Sequence, residues 1–367
     1  MAESFYKSLD IGKDVANTRT LLHEAIPLTG TIVSGTYSDE NIKNYAHGMF
    51  QSVYDYPYLS SSANHIFDIT VGVSAQSSIY SSISNQQSKK LNIYNQMAQV
   101  LVGFDHTGSI QRFDEDGDIV GGGTKLNDVF FMNYSRLLSK DEIKKGTFEL
   151  ELGVTPAYAQ NGSVFGSRIK ITDFSGSEGY LVNSPVGEYG ILYATQSAGS
   201  SVLTANQHYP VGLLFYQAGI AVISGSIFNQ ASAGGILNNS FHNVSMSGPS
   251  STSETLSAVL TGSNIENFSN NLRTRLYNLQ FNNTVELNSS VYFCRVNHNE
   301  YNYSTNPTYL SGSKIRVKTQ ASDLPVSYIT TIGLYNDNNE LLATAKLSEP
   351  LKKSSDTEFT IRVRLDY

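Results

Sequence analysis

From Thr147 onward the chain reads as short runs of alternating apolar and polar residues, "TFELELGV", "RIKITDF", "GILYATQ" and "VGLLFYQAGIAVISGSIF", divided by Gly, Ser and Asn clusters. Such spacing predicts the short strands of a sandwich-like or barrel-like β domain. The most apolar run, Val211 to Phe228, is cut by Gly212, Gln217, Gly219 and Gly225. It predicts two buried strands, because a membrane span needs ~20 apolar residues in succession. Further on, "YITTIGLYNDNNELLATAKL", Tyr328 to Leu347, reads as two strands folded about a turn. In "EFTIRVRLDY" the residues Phe359, Ile361, Val363, Leu365 and Tyr367 alternate with Thr360, Arg362, Arg364 and Asp366, giving one buried and one polar face. This run is expected to be a paired strand at or near an interface, with Glu349 to Glu358 as the exposed connection before it.

Helical spacing occurs earlier. After Ser38, the apolar positions Ile42, Tyr45, Ala46, Met49, Phe50 and Val53 fall on one helix face, and Pro57 ends the run. A second helix is predicted from Ser88 to Val102, with Leu91, Tyr94, Ala98 and Leu101 on one side and Gly103 as C-terminal cap. "SKDE" at Ser139 reads as a capping box for a short helical turn ended by Gly146. Short helices are also predicted in "SETLSAVL" and "NIENFSNNLRTRL". The fold class is therefore mainly β with a few short helices. Four segments follow: a mixed α/β region over 1–145, a β domain over 146–237, a linker with short helices over 238–275 and a C-terminal antiparallel β domain over 276–367.

Composition narrows the partners. Charged residues make up only 16% of the chain, below the ~25% usual for soluble domains. A net charge of -7 and a pI near 5.5 argue against nucleic acid or anionic lipid, which would call for a basic stripe. The single cysteine, Cys294, can form no internal disulfide and has no Cys/His cluster around it to hold zinc. "MAESFYKSLDIGKD" shows no secretory pattern, so synthesis in the cytosol is expected.

Candidate chemistry is sparse. "DEDGDIVGGG" brings Asp114, Asp116 and Asp118 beside glycines, a calcium-like set of oxygen ligands or an acidic exposed turn, without EF-hand spacing. The glycines lack the Lys and Ser/Thr of a phosphate loop. The seven histidines are scattered, and neither H-E-x-x-H nor G-x-S-x-G is present. Nothing here calls for an enzyme or a cofactor. Tyrosine is the notable excess, 23 with 17 Phe and no Trp. Tyr54, Tyr56 and Tyr58, and again Tyr301, Tyr303 and Tyr309, stand among Asp, Pro, Asn and Ser in loops. Such rings suit a protein interface, a sugar-binding surface or the edges of the protein's own core.

Several stretches taken together, "HGMFQSVYDYPYLSSSANHIFDITVG", "NIYNQMAQVLVGF", "NDVFFMNYSRLLSKDEIKKGTFELELG", "GLLFYQAGIAVISGSIF", "YFCRVNHNEYNYSTNPTYL", "YITTIGLYNDNNELLATAKLSEPLKK" and "TIRVRLDY", resemble virion structural proteins of contractile-tailed bacteriophages, notably those of marine cyanobacteria. The resemblance runs from about residue 45 onward and is weaker over Gln160 to Ser200 and Gln230 to Asn270. It implies a β-rich subunit of the tail, in the baseplate or fibre-attachment network, packed among copies of itself and other virion proteins. The alternatives are a place in the neck or on the capsid, a role as an adhesin recognising host glycans, and a polysaccharide depolymerase, which would need a carboxylate pair in a groove. No catalytic or ligand residues carry over from it.

Overall fold

A computed structural model describes residues 6–24, 39–78, 80, 85–118, 122–138, 141–155, 165–199, 202–204, 208–239, 265–304, 310–311, 314–315, 322 and 326–367. The chain forms two compact units, one of Met1–Leu22 with Glu286–Tyr367 and one of His23–Val285. These differ from the four segments drawn from composition, because strands on both sides of residue 146 hydrogen-bond into one sheet. The chain is mainly β with large antiparallel sheets, and no closed barrel forms among the described residues.

The chain's first described elements are a single helical turn, α1 (Ile11–Asp14), capped by the Asp10 carboxylate on Gly12 N, and β1 (Val15–Glu24). In the larger unit β2 (Ile42–Asn44), β3 (Gln51–Tyr54) and β4 (His65–Val73) form a meander. The helix predicted after Ser38 is thus replaced by a 3-10 turn, Asp39–Asn41, and two strands. The apolar residues that suggested it satisfy a sheet instead: Ile42 lies opposite Val53, and Val53 opposite Phe67. Gly48, at φ +60°, reverses the chain between the two strands, a conformation glycine adopts without steric cost.

Helix α2 (Asn85–Leu101) matches its prediction. Gly103, at φ +84°, donates its N–H to the Ala98 carbonyl at 3.0 Å and ends the helix. Then come β5 (Asp128–Asn133), β6 (Glu142–Ile143), β7 (Glu149–Gly153) and β8 (Arg168–Thr172). The turn α3 (Gly176–Gly179) leads to β9 (Leu181–Ser184) and β10 (Gly187–Ala198). The apolar run resolves into β11 (Tyr209–Phe215) and β12 (Ile220–Ser224), as predicted. Beyond β12 the chain forms α4 (Ile265–Thr274), also predicted, and β13 (Leu276–Gln280). "SETLSAVL" lies outside the described residues. The main sheet runs in the order β13-β7-β8-β10-β11-β12-β5-β4-β3-β2, with β9 added beside β10.

Because side chains alternate along a strand, this sheet has two covered faces. Phe67, Ile69, Val71, Phe130, Met132, Ala221 and Ile223 enter one core cluster. On the other face Val129, Phe131, Leu213, Phe215 and Val222 pack with Ile93, Tyr94 and Ala98 of α2. A Cβ at Gly72 would lie 3.0 Å from the Tyr94 Cα and 2.7 Å from a Phe131 ring carbon, so only glycine lets the helix come this close.

Where "SKDE" predicted a helical turn, Glu142 instead sits in β6, paired with Asn283 and Thr284 at the start of β14 (Asn283–Val296). Its carboxylate, nearly fully buried, meets Lys145 Nζ at 2.9 Å, and Lys145 also meets Glu188 at 2.6 Å. Nearby Asp173 accepts from Gly146 N, Phe148 N and the Tyr216 hydroxyl at 2.8, 2.9 and 3.0 Å. Burial holds the Asp173 carboxyl above the ordinary aspartate range, against these hydrogen bonds.

In the smaller unit β14 is flanked by β1 and by β19 (Phe359–Asp366). The predicted terminal pairing is present: β19 runs antiparallel to β14 from Ser289↔Asp366 to Val296↔Phe359. Tyr367 N and O both bond Asn288. The predicted buried face is less complete than the alternation suggested. Val363 is buried, Phe359, Ile361 and Leu365 are half-buried, and Tyr367 is 72% exposed because it lies past the end of the strand.

A two-residue ladder, β15 (Leu310–Ser311) with β16 (Lys314–Ile315), precedes the predicted hairpin, β17 (Val326–Tyr335) with β18 (Leu341–Ser354). Its turn is held by the Asn336 side chain, which accepts from Asn338 N and Glu340 N, with Asn339 at φ +63°. The expected exposed connection is corrected here, since β18 continues to Ser354. Lys353 is buried and donates to His298 O, Asn302 Oδ1 and Ser354 O, which fixes that end of the strand.

Lys145→Met would leave two buried carboxylates without their cation and is expected to cost about 3–5 kcal/mol, measured by urea unfolding at pH 7. Burial by itself lowers the Lys145 pKa, but the hydrogen bonds that its ammonium donates to Glu188 and Glu142, with their negative charges, outweigh it and raise it. The stabilisation is therefore full below the unfolded lysine value of ~10.4 and is lost as pH rises through the folded value. On the alkaline side of neutrality the advantage of wild type over Lys145→Met should therefore narrow only above that pH.

Candidate functional site

Helix α2 covers the second face of the sheet from Gly72 to Phe215 but stops short of the β2–β3 end. There the loop between β2 and β3 folds over the sheet, and a cavity of about 500 Å³ remains between loop, helix and sheet. Met49 and Phe50 come from the loop, Ile93, Met97 and Val100 from α2, and Phe131 from β5. Asp68 and Thr70, on β4, Asn133, on β5, His47, from the loop, and Gln96, from α2, supply polar groups. Asp68 and Asn133 are direct cross-strand partners.

The loop wall is fixed by hydrogen bonds. Thr70 Oγ1 donates to Met49 O at 2.5 Å, Lys89 Nζ to His47 O at 2.8 Å, and Met49 N to His47 Nδ1 at 3.1 Å. Tyr45 and His47 stack at 5.3 Å with their rings within 4° of parallel, and Phe50 leans on both. Lys43 Nζ sits 4.9 Å over the Tyr45 ring.

Behind Asp68 lies a Ser, Asp and His set that sequence reading missed. Ser52 Oγ donates to Asp68 Oδ1 at 2.5 Å, and His65 Nε2 reaches the same oxygen at 2.7 Å. A nucleophilic serine needs its proton taken by the imidazole, with the carboxylate behind the imidazole. Here the carboxylate stands in the middle, so the order of the hydrogen bonds positions Asp68 and does not activate Ser52. Period-2 spacing puts Ser52 and Asp68 on one face, but only their pairing across β3 and β4 brings them together.

The sequence-selected residues fall in separate places. Tyr54 is half-buried at the end of β3, edge-on to His65 at 5.3 Å. Tyr56 and Tyr58 project, 59% and 38% exposed, from a loop closed by the Asp55 carboxylate on Asn64 N and Nδ2. In the smaller unit Tyr301 and Tyr303 are exposed, Tyr301 with φ +56°, while Tyr309 lies outside the described residues. Phe359, Ile361, Val363 and Leu365 are in β19, and Tyr367 follows it.

Carboxylate oxygens of Asp114, Asp116 and Asp118 lie within 4.8 Å of one another, Asp114 buried and the other two exposed. Lys125 already pairs with Asp114. Burial, and then the charge of Arg112, pushes the Lys125 ammonium below the ordinary lysine range. A divalent cation bound here would have to displace or share that ammonium. Cys294 is half-buried, and burial followed by the charge of Asp14 raises its thiol pKa, opposite to a reactive cysteine.

A serine-directed fluorophosphonate is expected to leave Ser52 unmodified over hours at pH 7.5, as read by peptide mass spectrometry. A stoichiometric adduct on Ser52 would show that the Asp68-centred order gives way to a His65–Ser52 bond in solution.

Set against known proteins, the chain matches no family model, and neither a curated protein nor a solved structure matches it.

Proposed function

We propose that this chain is a non-enzymatic structural subunit of a contractile-tailed bacteriophage virion, in the baseplate or tail-fibre attachment network. The observation that carries the assembly role is the hairpin of β17 and β18. Among the described residues these strands pair only with each other. Tyr328, Tyr335, Leu341 and Leu342 on them are 45–68% exposed. A lone two-stranded ribbon is marginal in water, and monomeric proteins guard open edges with charges or proline. β18 has such guards in Lys346, Glu349, Pro350 and Lys352, whereas β17, "VSYITTIGLY", has no charge and no proline. An unguarded edge of this length fits strand addition by a neighbour. The partners on this reading are further copies of the chain and other virion proteins, and the placement within a tail rests on the sequence resemblance alone.

A second reading, a receptor-binding adhesin for host glycans, draws on the exposed rings Tyr56, Tyr58, Tyr301 and Tyr303. Saturable glycan binding by the isolated protein would select it. A place in the neck or capsid shares the chemistry of the first reading and differs only in neighbours.

Light scattering on the purified chain is expected to show an oligomer that Thr331→Lys, a charge placed in mid-edge on an exposed position, converts to monomer with its circular dichroism unchanged. A wild-type monomer at every concentration would oppose assembly through β17. Deleting residues 357–367 removes β19 and its whole ladder to β14, and is expected to lower the unfolding midpoint of the smaller unit.

A further inference from the structure

We propose that the cavity between α2 and the β2–β3 loop is a binding site for a small amphipathic ligand, an aromatic or aliphatic body bearing an ammonium head. The inference is independent of the virion reading, since the lining belongs wholly to the larger unit.

Three features carry it. The cavity, about 500 Å³, falls in the range of sites that enclose small organic ligands. Its walls are held apart by fixed groups. On one side α2 is pinned by the Gly72 contact and by Tyr94 OH, which donates to Leu126 O at 2.7 Å. On the other, the loop is tied by Thr70 to Met49 O and by Lys89 to His47 O. The space is thus preformed.

The lining is divided chemically. Met49, Met97, Ile93 and Phe131 offer an apolar bed, and the two thioethers adapt to rings of different shape. At the sheet end stands the Asp68 carboxylate. Its Oδ1 is occupied by Ser52 and His65, while no described hydrogen bond reaches Oδ2. Asn133 lies opposite on the neighbouring strand and spends its Oδ1 on Ser135 N. Lys89, the α2 cation beside the loop, is engaged by the His47 carbonyl. An acceptor with negative charge at one end of an apolar cavity selects an ammonium head and disfavours a carboxylate.

The chain has five methionines, of which Met49 and Met97 line the cavity and Met132 is buried on the opposite face of the sheet. With ε-13C-methyl methionine in the full chain, tyramine is expected to shift Met49 and Met97 saturably and leave Met132 in place. The acid 3-(4-hydroxyphenyl)propionate, which carries a carboxylate where tyramine carries its ammonium, is expected to bind at least about tenfold more weakly. Asp68→Asn, which keeps an acceptor for Ser52 and His65, should bring the two affinities within about threefold, and Asn133→Asp should widen the gap. An unmoved Met132 signal reports that each variant is folded. The proposal is overturned if neither compound shifts Met49 and Met97 saturably, if the acid binds as well as the amine, or if folded Asp68→Asn keeps the preference.

Discussion

How closely α2 lies against β4 decides what the second face of the large sheet can be, and Gly72 sets that distance. With no Cβ at this point, the Tyr94 backbone rests on the strand, and Tyr94, Phe113, Phe131 and Phe215 close into an edge-to-face cluster. Any side chain at residue 72 would lift the helix and open that cluster to water. The same contact fixes one wall of the cavity. Farther toward β2 the sheet turns polar, with Asp68, Thr70 and Asn133 on this face, so the helix has no apolar surface to follow and a loop closes the space instead.

The two units manage their strand edges differently. In the larger one an outermost strand, β2, is only three residues long, and the 3-10 turn before it is tied down by Asn41 Nδ2 on the Tyr54 and Asp55 carbonyls. A short edge offers little template to a neighbour. In the smaller unit β17 offers ten residues without a charge. Among the described residues the contrast is between a short edge tied down by its turn and a ten-residue strand paired on one side only.

Legibility in the sequence followed the range of the interactions. Helix α2 was readable because its apolar stripe and its terminating glycine are both local, and β11, β12, β19 and the β17–β18 hairpin because alternation and turn residues are local too. The segment from Ser38 to Val53 misled because Ile42, Tyr45, Met49 and Val53 fit a helical stripe, and only pairing with Phe67 on β4 assigns Ile42 and Val53 to a sheet face. The Glu142 side chain read as a cap because its true partner, Lys145, is joined by Glu188 from a distant strand. The cavity had no sequence signal: Met49, Asp68, Met97 and Asn133 come from four elements, and each alone reads as ordinary packing or surface.

The most direct test of the account is amide hydrogen exchange along β17 at low and high protein concentration. If a neighbour covers this edge, protection of the Val326–Tyr335 amides rises with concentration while that of β4 and β5 stays constant. Protection of β17 that does not change with concentration would contradict assembly through this strand.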